Sequence, residues 1–163
     1  MSQNRPWIEQ GSNGSAYADL AKLVCVWETN PARATASRGV LTDYSGGARS
    51  TSLDPDAVQF EAGQFLADLN LVFPGAHAAA RRVDGKVIAH LEHWPTNPFS
   101  LGSYTCYEPG QFTTIAGLEG LPVGNVYFAG EHANSFYEWQ GFMEGAALSG
   151  VDAAAAILQR VKR

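Results

Sequence analysis

Cysteine is scarce in this chain: two residues in 163, Cys25 and Cys106. They lie far apart, form no Cys-x-x-Cys pair and match no zinc spacing, so neither a disulfide framework nor a structural zinc site is expected. Two reduced thiols in a cytoplasmic protein is the plainest reading. Charge is sparse too, at 17% of residues, and it leans acidic: 11 Lys and Arg against 16 Asp and Glu, net -5. A duplex-binding face or a polybasic membrane anchor needs the opposite balance, so nucleic acid and membrane surfaces are not expected as partners. No apolar run approaches the roughly 18 residues that span a bilayer, and no signal core follows Met1–Pro6. A Gly-x-Gly-x-x-Gly turn after a strand is missing. Gly11 to Gly14 and Gly46-Gly47 have the wrong spacing for one. His90 and His93 have no third partner in view, so no metal is expected.

What remains is a chain with 45% hydrophobic residues, enough for a globular core. Residues 1–15 read as a polar loop. Leu20 to Trp27, with Leu23-Val-Cys-Val-Trp27 entered by Lys22 and closed by Asn30-Pro31, reads as a short buried strand. Gly39–Tyr44 reads as a second strand, with a turn at Ser45-Gly46-Gly47. Asp54-Pro55 reads as a helix start, followed by Val58, Phe60, Ala62, Phe65, Leu66, Leu69 and Leu71 at mostly helical spacing and by a Pro74-Gly75 stop. Lys86–Trp94 alternates like a strand. Residues 95–109 are rich in Pro, Gly, Asn and Ser and form a loop. Asn125–Gly130 reads as a short buried strand, and about Trp139–Arg160 as a helix. Its expected apolar face is Phe142, Met143, Ala146, Ala147, Val151, Ala154, Ala155 and Leu158, with Arg160, Lys162 and Arg163 at the dipole's negative end. The fold class expected is α+β, without a clean compositional boundary.

The strand, loop and helix from Val126 to Gly150 carry the most chemistry. Unpaired N–H groups at a helix start favour an electron-rich ligand, and Gly130, Gly141 and Gly145 permit close backbone approach. Gly145, Ala146, Ser149 and Gly150 keep one helix face small. The same features also fit an ordinary strand-loop-helix with a small-residue packing face, and the residues alone leave the two open.

The string Phe128-Ala-Gly-Glu-His132, with Gly141-Phe-Met-Glu-Gly-Ala146 and Ser149-Gly150, resembles the C-terminal flavin-binding signature of flavin-containing amine oxidases of the monoamine and polyamine oxidase type. His93-Trp-Pro-Thr-Asn-Pro-Phe-Ser-Leu-Gly-Ser-Tyr104 is similar to the family's Trp-x-x-Asp-Pro-x-x-x-Gly-Ser-Tyr segment, with Asn97 in place of the usual Asp. Tyr17-Ala-Asp-Leu-Ala-Lys-Leu23 resembles, less closely, the strand bearing the lysine near the flavin. The matches keep family order and cover the chain after residue 16.

The resemblance implies a C-terminal portion of an FAD-dependent enzyme that oxidises the C–N bond of amines, with a small-molecule amine and oxygen as partners. Residues 1–100 would be part of the substrate-binding region, with a mixed sheet. Residues 101–163 would be the C-terminal strand-loop-helix of the FAD-binding domain. Gly130 and Glu131 would meet the flavin nucleotide, and Gly141, Phe142 and Met143 would start a helix aimed at the ring's C2 carbonyl. Tyr104 and Phe142, the latter where tyrosine is common, would flank the amine. Lys22 would hold a water near N5, and Trp94 and Trp139 would wall the pocket. Ser103 stands where animal monoamine oxidases place the cysteine linked to flavin, so FAD would be non-covalent. The missing glycine turn implies a partner chain carrying the dinucleotide-binding half, or self-association, and little activity for the chain alone. The alternatives are an L-amino-acid oxidase, which would need a cation such as Arg33, Arg38 or Arg49 for the substrate carboxylate, and a non-catalytic remnant acting as a binding module.

Overall fold

A computed structural model describes residues 5–29, 38–134 and 139–161. Asn30-Pro31, Arg33, Lys162 and Arg163 lie outside the described residues. The chain forms two compact units, 1–97 and 98–163.

The first unit is an antiparallel sheet with one long helix. Strands β1 (Ala16–Tyr17), β2 (Cys25–Thr29) and β3 (Val40–Tyr44) lie in that order, with Ala16 opposite Val26 and Val26 opposite Asp43. Arg82–Val83 and Lys86–Val87 (β4 and β5) make a separate antiparallel hairpin. The fold is α+β, but its sheets are antiparallel rather than mixed. Only seven residues join β1 to β2, too few for the crossover that a parallel pair requires.

Helix α3 (Val58–Val72) lays Leu66 and Leu69 on the core with Leu23, Val26, Phe73 and Ala76. Leu23 is fully buried, which stabilises the fold by about 1.5–3 kcal/mol. Trp7 joins this core and meets Phe73 at 6.2 Å. It sits on the short helix α1 (Pro6–Glu9), so the expected loop over 1–15 contains a core anchor. Its indole donates to the buried Glu28 carboxylate at 3.2 Å, and Arg5 pairs with the same group.

Three boundaries move relative to the sequence reading. The Asp54 carboxylate accepts the Asp56 N–H at 2.9 Å, an Asx turn that spends the side chain before the helix begins. Helix α3 therefore starts at Val58, behind Ala57. Residues 20–24 are a bend, and β2 starts only at Cys25. Of the strand expected over Lys86–Trp94, the described structure contains β5 alone. Ile88 donates back to Arg81 O, and His93 turns inward to meet Ser50 O at 2.9 Å and the Thr96 hydroxyl at 3.0 Å. The turn expected at Ser45–Gly47 leads straight into a short helix α2 (Gly47–Thr51). After α3, Pro74 and Gly75, with φ +95, form the stop, and helix α4 (Ala76–Ala79) follows.

The second unit contains α5 (Gln111–Ile115), a 3-10 turn (Glu131–Ala133) and the 19-residue helix α6 (Met143–Val161). The strand expected over 125–130 is present only as an isolated bridge between Val123 and Val126. No strand among the described residues pairs with 127–129, and Val126 is exposed. An apolar run becomes a strand only when a neighbour takes its N–H and C=O groups. The packing face of α6 is also corrected. Val151, Leu158, Phe142 and Met143 are exposed, whereas Gly145 and Ser149 are buried, so the small stripe is the side that packs. A side chain at Gly145 would run into Trp139 O.

Candidate functional site

The second unit gathers its signature residues around one carboxylate. Glu131 Oε1 accepts from the Thr105 N–H at 2.9 Å and from the Thr105 hydroxyl at 2.8 Å. Glu131 Oε2 accepts from the Gly141 N–H at 2.6 Å. These are charge-assisted bonds, roughly twice as strong as neutral ones. Glu131 is thus bonded within the protein through both carboxylate oxygens rather than a solvated loop acid. It ties the 98–110 loop to the turn that precedes α6.

The backbone beside it is held as firmly. The Gly130 N–H donates to Ser149 Oγ at 2.9 Å, and that hydroxyl lies 2.8 Å from Gly130 O and 2.9 Å from Ala146 O. Gly130 has φ +142, and a Cβ there would lie 2.5 Å from the His132 ring. Only glycine fits. A second knot joins Tyr107, whose hydroxyl donates to Glu119, to Gln140, whose amide donates to Tyr107 at 2.9 Å.

On this frame the aromatic residues stand open. Tyr104 is 51% exposed and Phe142 61%, and the Tyr104 ring packs 3.9 Å from where a Gly141 side chain would begin. Trp139 meets Phe142 edge-on at 6.2 Å. Met143 and Ser103 are also exposed. Tyr104, Gly130, Glu131, Gly141, Phe142, Met143, Ser103 and Trp139 all belong to this unit. A shallow cavity of about 220 Å³ lies apart from the rings, between Gly120, Pro122, Phe128 and the small face of α6. Its depth comes from the small side chains Ser149, Ala153 and Ala156.

Lys22 and Trp94 belong to the first unit. Lys22 sits in the bend before β2, with its N–H on Asp68 Oδ2 at 2.6 Å and its ammonium on Glu61 Oε2 at 2.9 Å. Its charge is compensated rather than merely extended to water. Trp94 opens a 3-10 turn, half exposed. Arg49 is paired with Asp19, and Arg38 is exposed. Burial raises the Asp43 carboxyl from its ordinary 3.8 to about 6, against smaller opposing contributions from Ser45 and the Tyr44 backbone. Sequence reasoning missed Thr105, Tyr107, Glu119, Gln140 and Ser149 as site-building residues. The local signal for Ser149 was a polar residue set in the small stripe of a helix. The others act through contacts distant in sequence. Among the described residues no group of His, Cys, Asp and Glu could hold a metal, and no helix is long and apolar enough to cross a membrane.

The family model described as flavin containing amine oxidoreductase matches residues 2–158. The chain belongs to that family. It is 41% identical over 61 residues to a Bacillus subtilis protein whose name marks it as a candidate L-amino-acid oxidase, a stretch covering 37% of this chain and 12% of that protein. It is 37% identical over 71 residues to polyamine oxidase 4 of rice, covering 44% of this chain and 14% of the relative. It is 40% identical over 68 residues to pig flavin-containing amine oxidase B, covering 41% and 13%. The matched stretches therefore span about an eighth of these relatives' length.

Proposed function

We propose that this chain supplies the amine-facing and C-terminal flavin-facing parts of an FAD-dependent amine oxidase. The single observation that carries the reading is that the exposed rings of Tyr104 and Phe142 are each next in sequence to a residue bonded to Glu131, within a family match over residues 2–158. Family membership implies a flavin. The residues present fit one side of such a group: glycines stand at 130 and 141, and Phe142 and Met143 are exposed at the start of α6. They do not include a glycine-rich pyrophosphate turn. The bound flavin would accept the hydride equivalent that leaves the amine carbon and pass it to oxygen, while the protein supplies placement and field.

The roles of the chain's own residues follow from their chemistry. Tyr104 and Phe142 present electron-rich ring faces that orient an ammonium or amine. Trp139, edge-on to Phe142, bounds the ring pair within the second unit. The N-terminal pole of α6 favours negative charge near Phe142 and Met143. The Glu131 carboxylate, held by three protein donors, ties the residues next to the two rings together. Lys22 gives one ammonium N–H to Glu61 and offers the rest to a water. Ser103 lacks the thiol for a thioether, so FAD is held non-covalently. A chain carrying the dinucleotide-binding half, or a second copy, completes the cofactor site, and the expected location is the cytoplasm.

The test is peroxide release from the reconstituted protein across monoamines, polyamines and L-amino acids. Turnover of uncharged-tail amines, lost in Tyr104→Ala and Phe142→Ala, supports the reading. Turnover confined to amino acids, abolished by replacing Arg38 or Arg49 with alanine, supports the second reading, an L-amino-acid oxidase, which the Bacillus relative's name favours. Colourless, inactive protein under every condition supports a non-catalytic binding module.

A further inference from the structure

We infer that the Glu131 carboxylate is a positioning group that sets the spacing of the two substrate-facing rings. The inference rests on the reading of Tyr104 and Phe142 given above. Three bonds converge on one carboxylate: Thr105 N–H and hydroxyl on Oε1, Gly141 N–H on Oε2. Thr105 is the chain neighbour of Tyr104, and Gly141 is the neighbour of Phe142. A single planar group thereby fixes the two backbones that bear the rings.

The turn that carries Glu131 is itself anchored. Gly130, one residue earlier, is bonded to Ser149 within α6. Glu131 therefore refers both rings to the helix, and the Tyr104 ring lies against Gly141 as a result. A glutamine at this place offers one acceptor where the carboxylate offers two. It can hold Thr105 or Gly141, but its amide opposes the other N–H. An alanine holds neither.

The test uses the full chain, isotopically labelled and without flavin, so that its outcome is independent of whether the protein takes up FAD. Amide exchange is followed at Thr105 and Gly141, together with ring-to-backbone nuclear Overhauser contacts between Tyr104 and Gly141. In Glu131→Ala, the Gly141 amide should exchange about tenfold faster or more, as for one lost charge-assisted bond. The Tyr104–Gly141 contacts should vanish while amides 147–158 in α6 keep their protection. Glu131→Gln should restore protection at one of the two amides. Glu119→Gln, in the separate Tyr107 knot, should leave the ring contacts in place. Unchanged ring contacts in Glu131→Ala would overturn the inference. So would equal loss of α6 protection in both Glu131 variants, which would make Glu131 a general stability residue. If the positioning result holds but no amine is ever oxidised, the spacing role stands and the functional reading fails.

Discussion

Ser149 Oγ bonds the N–H of Gly130 and lies within reach of its carbonyl, joining positions nineteen residues apart through one hydroxyl. The bond places the signature glycine on the small face of α6. Ser149→Ala leaves the Gly130 N–H without that partner and should cost about 1–2 kcal/mol. Urea denaturation followed by circular dichroism reads this loss. Unchanged stability would show that water replaces the hydroxyl fully.

Two glycines of the same helix should respond in opposite directions. A Cβ at Gly145 meets Trp139 O, whereas one at Gly150 meets nothing within 4 Å. Gly145→Ala should destabilise by about 1–3 kcal/mol, as overpacking does. Gly150→Ala should stabilise by roughly 0.5–1 kcal/mol through helix propensity. Thermal melts of the two variants check the contrast.

How much of this was legible before the structure depends on the reach of each interaction. The small stripe at Gly145, Ala146, Ser149 and Gly150 was visible because helical spacing is local. So were β3 and the stop of α3 at Pro74-Gly75. The strand over 125–130 was not reliably legible, since its signal is a run of apolar residues while its existence depends on a partner ladder. The apolar face of α6 was misread for a related reason. Hydrophobicity marks which residues want burial, and in this chain the tight packing is made by residues too small to weigh in that pattern. The Glu131 clamp joins residues 105, 131 and 141, and no spacing rule predicts it.

The Lys22–Glu61 pair is a partly buried ion pair, with the side chains 22% and 7% exposed. Removing only the cation strands a buried carboxylate, which still accepts the Asp54 N–H. Lys22→Met should therefore cost about 1–3 kcal/mol, and the double variant Lys22→Met, Glu61→Leu should recover most of it. A double-mutant cycle by chemical denaturation measures the coupling.

Asp43 gives the fold a pH dependence of defined sign. Its carboxyl, pushed up to about 6 from 3.8 by burial, favours the protonated form in the folded state. That contribution is complete below pH 3.8 and is lost as pH rises through about 6. Asp43→Asn should be more stable than the parent at pH 7, by on the order of 1–2 kcal/mol. The difference should close below pH 4, and melts at several pH values read it.

Cofactor retention tests the central claim most directly. The chain is incubated with excess FAD, alone at high concentration and together with the dinucleotide-binding half of a family member, then desalted and examined by visible absorbance before and after an anaerobic amine is added. The account predicts flavin bands that stay with the protein once that half is supplied, that bleach with amine, and that wash away on denaturation because Ser103 forms no covalent link. A protein that stays colourless in both arms would contradict it.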